Sequence, residues 1–138
     1  MAGTLPSRQL CVTIERPPGE VYDFASLPEN FPKWAAGLGN SVTRAAGGWI
    51  AQTAQGPLRV RFTERNAFGV LDHYVRPARG DEIYVPVRVI ANGSGTEVLF
   101  TLFRLPGMSD AQFAQDAALV ERDLKTLKEL MERRAPSA

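Results

Sequence analysis

Between residues 41 and 104 the chain is a succession of short runs in which apolar and polar residues alternate. The runs cover about 41–46, 48–54, 57–65, 70–76, 82–91 and 96–104. Turn residues separate them: Gly47-Gly48, Gln55-Gly56-Pro57, Asn66 to Gly69, Arg79-Gly80 and Asn92-Gly93-Ser94-Gly95. Alternation of this kind marks half-buried strands. Parallel neighbours need crossovers of about a dozen residues or more, and these separators are too short, so the strands must run antiparallel. A sheet with one apolar face then needs a second layer to cover it.

The C-terminal segment supplies that layer. Phe113, Ala117, Val120, Leu124, Leu127 and Met131 recur at intervals of four and three, one apolar stripe along a long helix. Pro106 and Gly107 precede it, and Ser109 with Gln112 fits a capping box. Glu121/Lys125 and Lys128/Glu132 lie four apart and should support the exposed side. Upstream, Leu10, Val12 and Ile14 alternate with Cys11, Thr13 and Glu15, which adds a first strand. Pro17-Pro18-Gly19 ends it, and Val21, Phe24 and Ala25 predict a short helix over about 18–26. Ser26 is expected to cap a second short helix carrying Pro28, Phe31 and Trp34, held to one or two turns by Pro32. Gly37-Leu38-Gly39-Asn40 reads as a joint. The order is strand, two short helices, six strands and a long helix: an α+β fold. We expect one domain over 1–138, with its core at about 8–134.

Composition excludes more than it identifies. Sixteen Lys+Arg against fifteen Asp+Glu leave a charge of +1 with the signs interspersed, which is no footprint for nucleic acid. No apolar stretch approaches the ~18 residues of a membrane helix, and the N-terminus lacks a signal-peptide core, so no membrane insertion and a cytoplasmic setting are expected. One Cys and one His rule out an intrachain disulfide, a Cys/His zinc site and a haem attachment motif. There is no P-loop, dinucleotide fingerprint or serine-nucleophile motif either, so we expect neither metal nor cofactor.

Several pieces of the chain resemble the START-like or SRPBCC superfamily, the helix-grip proteins. They are the opening strand with Val21-Tyr22-Asp23-Phe24, the segment Leu27-Pro28-Glu29-Asn30 to Trp34, and the terminal helix after Pro106-Gly107-Met108-Ser109-Asp110. The resemblance spans Leu10 to Met131 and looks closest to the bacterial polyketide cyclase/dehydrase-like branch. It implies a curved antiparallel sheet of about seven strands wrapped around the C-terminal helix. An apolar cavity would lie between them, closed at one end by the short helices. Members include lipid carriers, plant hormone receptors, pollen allergens, aromatic polyketide cyclases and co-chaperones, so the fold does not choose the function.

His73 is the one histidine, and alternation places it with Leu71 and Val75, while Asp72 sides with Val70 and Tyr74. Asp72 and His73 should therefore face apart and not form an orienter–base pair. A cavity-facing His73 could hydrogen-bond a ligand or move a proton near neutral pH; the alternative is a structural or surface histidine. In the last hairpin, a turn at Gly93-Ser94 pairs Val89 with Val98 and Val87 with Phe100 on an aliphatic face. The other face carries Tyr84 and Phe103, Pro86 and Thr101, Arg88 and Leu99. We favour the aliphatic face as core, since an unpaired ionised group is costly in a dry interior. The reverse arrangement would make Arg88 an anchor for a ligand oxyanion. A two-residue turn at Arg79-Gly80 sets His73 opposite Pro86, and a three-residue loop sets it opposite Val85; both pairings remain open. Leu58, Val60 and Phe62 should face inward and Arg59 and Arg61 outward. Trp34, Trp49, Phe62, Phe100, Phe103 and Phe113 read mainly as core, and the resemblance makes Trp34 and Phe113 the best cavity-lining candidates. Cys11 reads as an ordinary thiol, because the family's strand order separates it from His73 by about 14 Å.

The leading expectation is non-covalent binding of a small hydrophobic or aromatic molecule between sheet and helix. Its contacts would be Trp34, Phe62, His73, Tyr84, Arg88, Phe100, Phe113, Ala117 and Val120. One alternative is a cofactor-independent cyclase, dehydratase or isomerase with His73 as acid/base and Arg88 stabilising an enolate. The other is an interaction protein or homodimer whose cavity is filled by its own side chains.

Overall fold

A computed structural model of the chain describes residues 3–35, 41–53 and 56–134. The joint expected at Gly37 to Asn40 therefore lies outside the described residues, as does Gln55. Strand β1 (Ser7–Ile14) is followed by helix α1 (Pro18–Ala25), a single 3-10 turn (Pro28–Asn30) and helix α2 (Phe31–Trp34). Strands β2 (Ser41–Ala45), β3 (Gly48–Thr53), β4 (Gly56–Phe62), β5 (His73–Pro77), β6 (Ile83–Val85), β7 (Val87–Asn92) and β8 (Gly95–Phe103) follow, and helix α3 (Asp110–Arg133) ends the order. The architecture is α+β and antiparallel throughout.

The strands form two sheets, one ordered β1-β8-β7 and one ordered β2-β3-β4-β5-β6. The run expected as one strand over 82–91 breaks at Pro86, which has no N–H to give to a ladder. Upstream of the break β6 pairs with β5, and downstream β7 pairs with β8. Pro86 still accepts a hydrogen bond through its carbonyl, from the Thr101 N–H at 3.1 Å. The sheets meet along a short seam. Leu71 N–H donates to the Val87 carbonyl at 2.8 Å, Val89 N–H donates to the Gly69 carbonyl at 2.8 Å, and Val70 bridges Arg88.

Asp72 fastens this seam from the outer side. Its carboxylate accepts from the Val87 N–H at 2.9 Å, from Arg88 Nε and Nη2 at 2.9 and 2.7 Å, and from the Tyr84 hydroxyl at 2.8 Å. Its carbonyl accepts from the Thr63 N–H and hydroxyl at 3.0 and 2.6 Å. Burial alone would raise the Asp72 pKa, but the bonds from Arg88, Tyr84 and Val87 together outweigh it, and the pKa is lowered.

Ala117, Leu124, Leu127 and Met131 of α3 are buried in one core with Leu10 and Ile14 of β1, Val21 and Ala25 of α1, and Val87, Val89 and Val98 of β7 and β8. The aliphatic face of the last hairpin is thus the core face, with Val87 opposite Phe100 and Val89 opposite Val98. Ser109 caps α3 by accepting from the Gln112 N–H at 3.1 Å. Arg59 and Arg61 are exposed, and Val60 between them is buried.

Two local expectations need correction. Ser26 does not cap the second short helix. It adopts helical angles (φ −79°, ψ −11°) and ends α1, its N–H donating to the Tyr22 carbonyl at 2.8 Å. Leu27 takes the extended conformation that a helix-preceding residue requires. On α3, Lys128 and Glu132 pair at 2.7 Å, but Glu121 reaches across to Arg8 of β1 at 3.6 Å. Among the described residues, no helix is long and apolar enough to cross a membrane.

Candidate functional site

A cavity of about 260 Å3 lies between the strands and α3. Val75, Ile83 and Val85 of β5 and β6 form one wall, with His73 beside them. Phe100 and Leu102 of β8 continue that wall, and Asp116, Leu119, Val120, Asp123 and Leu124 of α3 face it. Phe31, Trp34 and Ala35, in and just after α2, close one end. The short second helix is what brings Trp34 there, because Pro32 near its start and its single turn set the indole against Phe31 at 5.1 Å between ring centres.

Strand register decides which face His73 takes. His73 pairs with Val85, Tyr74 with Tyr84 and Val75 with Ile83, the pairing that a three-residue loop at Arg79-Gly80 produces. His73 consequently shares the inward face with Leu71 and Val75, at 4% exposure. Its Nδ1 lies 3.1 Å from the Leu71 carbonyl, which can only accept, so Nδ1 carries the proton and Nε2 keeps its lone pair. Phe31 and Phe62 flank the imidazole at 5.6 and 5.7 Å between ring centres.

Burial pushes the His73 pKa below its ordinary 6.5, against smaller opposing effects of the Leu71 carbonyl and the Asp72 charge. A group whose pKa is lowered by folding takes up its proton more readily in the unfolded chain. The stability it contributes is complete above about pH 6.5 and is lost as the pH falls towards the folded value. We expect the His73 ring to titrate below 6.5 by NMR, and His73→Leu to flatten the loss of stability as the pH falls below about 6.5. A ring half-protonated at pH 6.5 would contradict this burial.

Trp34 is 3% exposed, and its indole N–H has no hydrogen-bond acceptor among the described residues. Asp116 is half-buried on α3, and burial raises its carboxyl pKa. Asp123, one further helical repeat along, has 14% side-chain exposure, with Arg122 Nε at 4.0 Å.

Of the residues expected to line a site, Trp34, His73, Phe100 and Val120 border the cavity. Phe62 stands behind it, packed on Phe31 at 4.6 Å between ring centres and on His73. Ala117 is packed in the core at 1% exposure, and neither it nor the half-buried Phe113 borders the cavity. Tyr84 and Arg88 lie on the outer face, bound to Asp72, so the structure does not bring them to His73. The alternation that turns His73 inward necessarily turns these two outward. Cys11 is exposed.

Asp116 and Asp123 were not anticipated. Their spacing carried the signal: 116, 120 and 123 follow one helical face, so two carboxylates flank Val120 on the shoulder of the apolar stripe.

No protein-family model and no curated protein matches this sequence. Solved structures match its fold. DynU16, a protein of the dynemicin biosynthetic locus, has a TM-score of 0.72 at 15% identity over 94% of this chain and 48% of that one. The chain thus spans about half the length of DynU16. The Aha1 dimer from Colwellia psychrerythraea has a TM-score of 0.73 at 15% identity, covering 94% of this chain and 98% of that one. Ara h 8.0201 has a TM-score of 0.67 at 10% identity, covering 95% and 100%. At these identities the likeness is one of architecture: two antiparallel sheets around a long C-terminal helix, the helix-grip arrangement.

Proposed function

We propose that this chain binds one small, mostly apolar or aromatic molecule between its sheets and α3, without covalent chemistry. The observation that carries this reading is the Trp34 indole N–H, buried in the wall of an apolar cavity with nothing among the described residues to accept its hydrogen. Buried donors in native proteins nearly always have a partner, and leaving one unpaired costs about 1–3 kcal/mol. A ligand oxygen or ring nitrogen would remove that cost. His73 Nε2 would offer an acceptor to a ligand hydroxyl or N–H.

Size narrows the ligand. At about 260 Å3 the cavity is slightly below the range of ~300–1,000 Å3 usual for small-molecule sites. It matches the liquid volume of roughly nine waters, room for one or two rings and not for a long acyl chain. A cyclase or isomerase would need at least two titratable groups converging on one ligand atom. With Arg88 on the outer face, they would have to come from His73, Asp116 and Asp123. We therefore put binding ahead of catalysis.

Two measurements test the reading. Denaturing the purified protein and analysing the extract by mass spectrometry should release a small molecule in constant stoichiometry. Trp34→Phe keeps the aromatic surface and removes the N–H. It should weaken binding of an acceptor-bearing probe such as para-ethylanisole about threefold to tenfold, with little change in unfolding free energy. An empty extract together with equal probe affinity in both proteins would overturn the proposal.

A further inference from the structure

The ionisable groups in the cavity wall have a one-sided character. Among the described residues they are His73, Asp116 and Asp123, and no lysine or arginine joins them. His73 is held neutral by its burial, which leaves carboxylates as the charged groups facing a bound molecule. Arg88, the cation expected to meet a ligand oxyanion, is spent on Asp72 outside the cavity.

We infer that the cavity selects for positive charge, taking a small aromatic molecule that bears a protonated amine in preference to the matching carboxylate. This rests on the binding function proposed above and adds the class of ligand. The Trp34 N–H is an independent sign that the occupant is polar at one end, since it calls for an acceptor atom. At α3 the demand is opposite, because Asp116 and Asp123 can only accept when ionised. An ammonium there would pair with a half-buried carboxylate whose burial otherwise favours protonation. Phe31, Trp34 and Phe100 border the same cavity, and aromatic rings attract cations over their faces and not anions. A carboxylate would meet the half-buried Asp116 beside Asp123, with no lysine or arginine among the described residues that line the cavity, an arrangement that discriminates by repulsion.

Three probes of one shape separate the alternatives: para-methoxyphenethylamine, the neutral para-ethylanisole, and para-methoxyhydrocinnamate. Each would be titrated into the whole chain at pH 7 by calorimetry or ligand-observed NMR. We expect the amine to bind about tenfold tighter than the neutral probe, and the carboxylate more weakly than either. The amine's advantage should shrink as salt is raised. Asp116→Asn should bring the amine close to the affinity of the neutral probe. Neutral binding without an amine advantage would overturn charge selection while leaving the cavity function standing. So would a carboxylate that binds as well as the amine, or an advantage that survives both Asp116→Asn and Asp123→Asn. Silence from all three probes would overturn both readings.

Discussion

Asp72→Ala should lower the unfolding free energy by about 3 kcal/mol, measured by urea denaturation at pH 7. The ion pair alone would not account for this. The Arg88 side chain is 48% exposed, and a pair screened to that extent is worth about 1 kcal/mol at most. The larger part comes from the Val87 N–H, a buried donor at the point where the two sheets meet, which would lose its acceptor. The Tyr84 hydroxyl loses its acceptor as well, but it can turn to water. Asp72→Asn keeps an acceptor for Val87 and should cost roughly half as much. The pH dependence has a definite sign. The Asp72 pKa is lowered in the folded chain, so its contribution is complete above the unfolded value of about 3.9 and disappears as the pH falls through the folded value. Asp72→Asn should flatten that acid limb. A loss below about 0.5 kcal/mol in Asp72→Ala would mean that the seam holds without its carboxylate.

Gly69→Ala should be comparably damaging, at about 3–4 kcal/mol. Gly69 has φ +71°, and a Cβ there would lie 2.1 Å from the Val89 carbonyl oxygen. The obstruction is backbone, and the same two residues are joined by the hydrogen bond from the Val89 N–H to the Gly69 carbonyl. Relief would require the seam itself to part. Gly93→Ala is the matched control, because Gly93 has φ +60° but a Cβ there meets nothing within 4 Å. It should cost only the conformational share, about 1 kcal/mol. Equal unfolding midpoints for the two variants would show that the seam yields without penalty.

How far the residues disclose this structure depends on how local the deciding interaction is. The α3 stripe, the Ser109 cap and the pairing of Val87 with Phe100 follow from spacing within one helix or across one short turn. The Arg79-Gly80 loop is harder, because polar residues surround both candidate turns and a shift of one residue preserves the alternation on each strand. Pairing of His73 with Val85 resolves it, and that depends on the packing of Phe31 and Phe62 about the imidazole, contacts between distant segments. Pro86 was visible as a residue unable to donate. That it divides two sheets depends on where β5 and β8 lie in space. Asp116 and Asp123 sat on the shoulder of a stripe read as core, and hydrophobic periodicity does not register acids there.

The break at Pro86 also bears on how such a cavity could change over generations. His73, Val75, Ile83 and Val85 ride on the five-stranded sheet, whereas α3 packs mainly on β1, in the other sheet. The β5–β6 part of the wall therefore belongs to one slab, and α3 with Phe100 and Leu102 of β8 to the other, so the width of the space amounts to a dihedral angle between them. Substitutions along Gly69–Asp72 or Val87–Val89 could widen or narrow the space while every residue in its wall stays the same. A lineage could in this way resize its ligand first and adjust the chemistry of contact later.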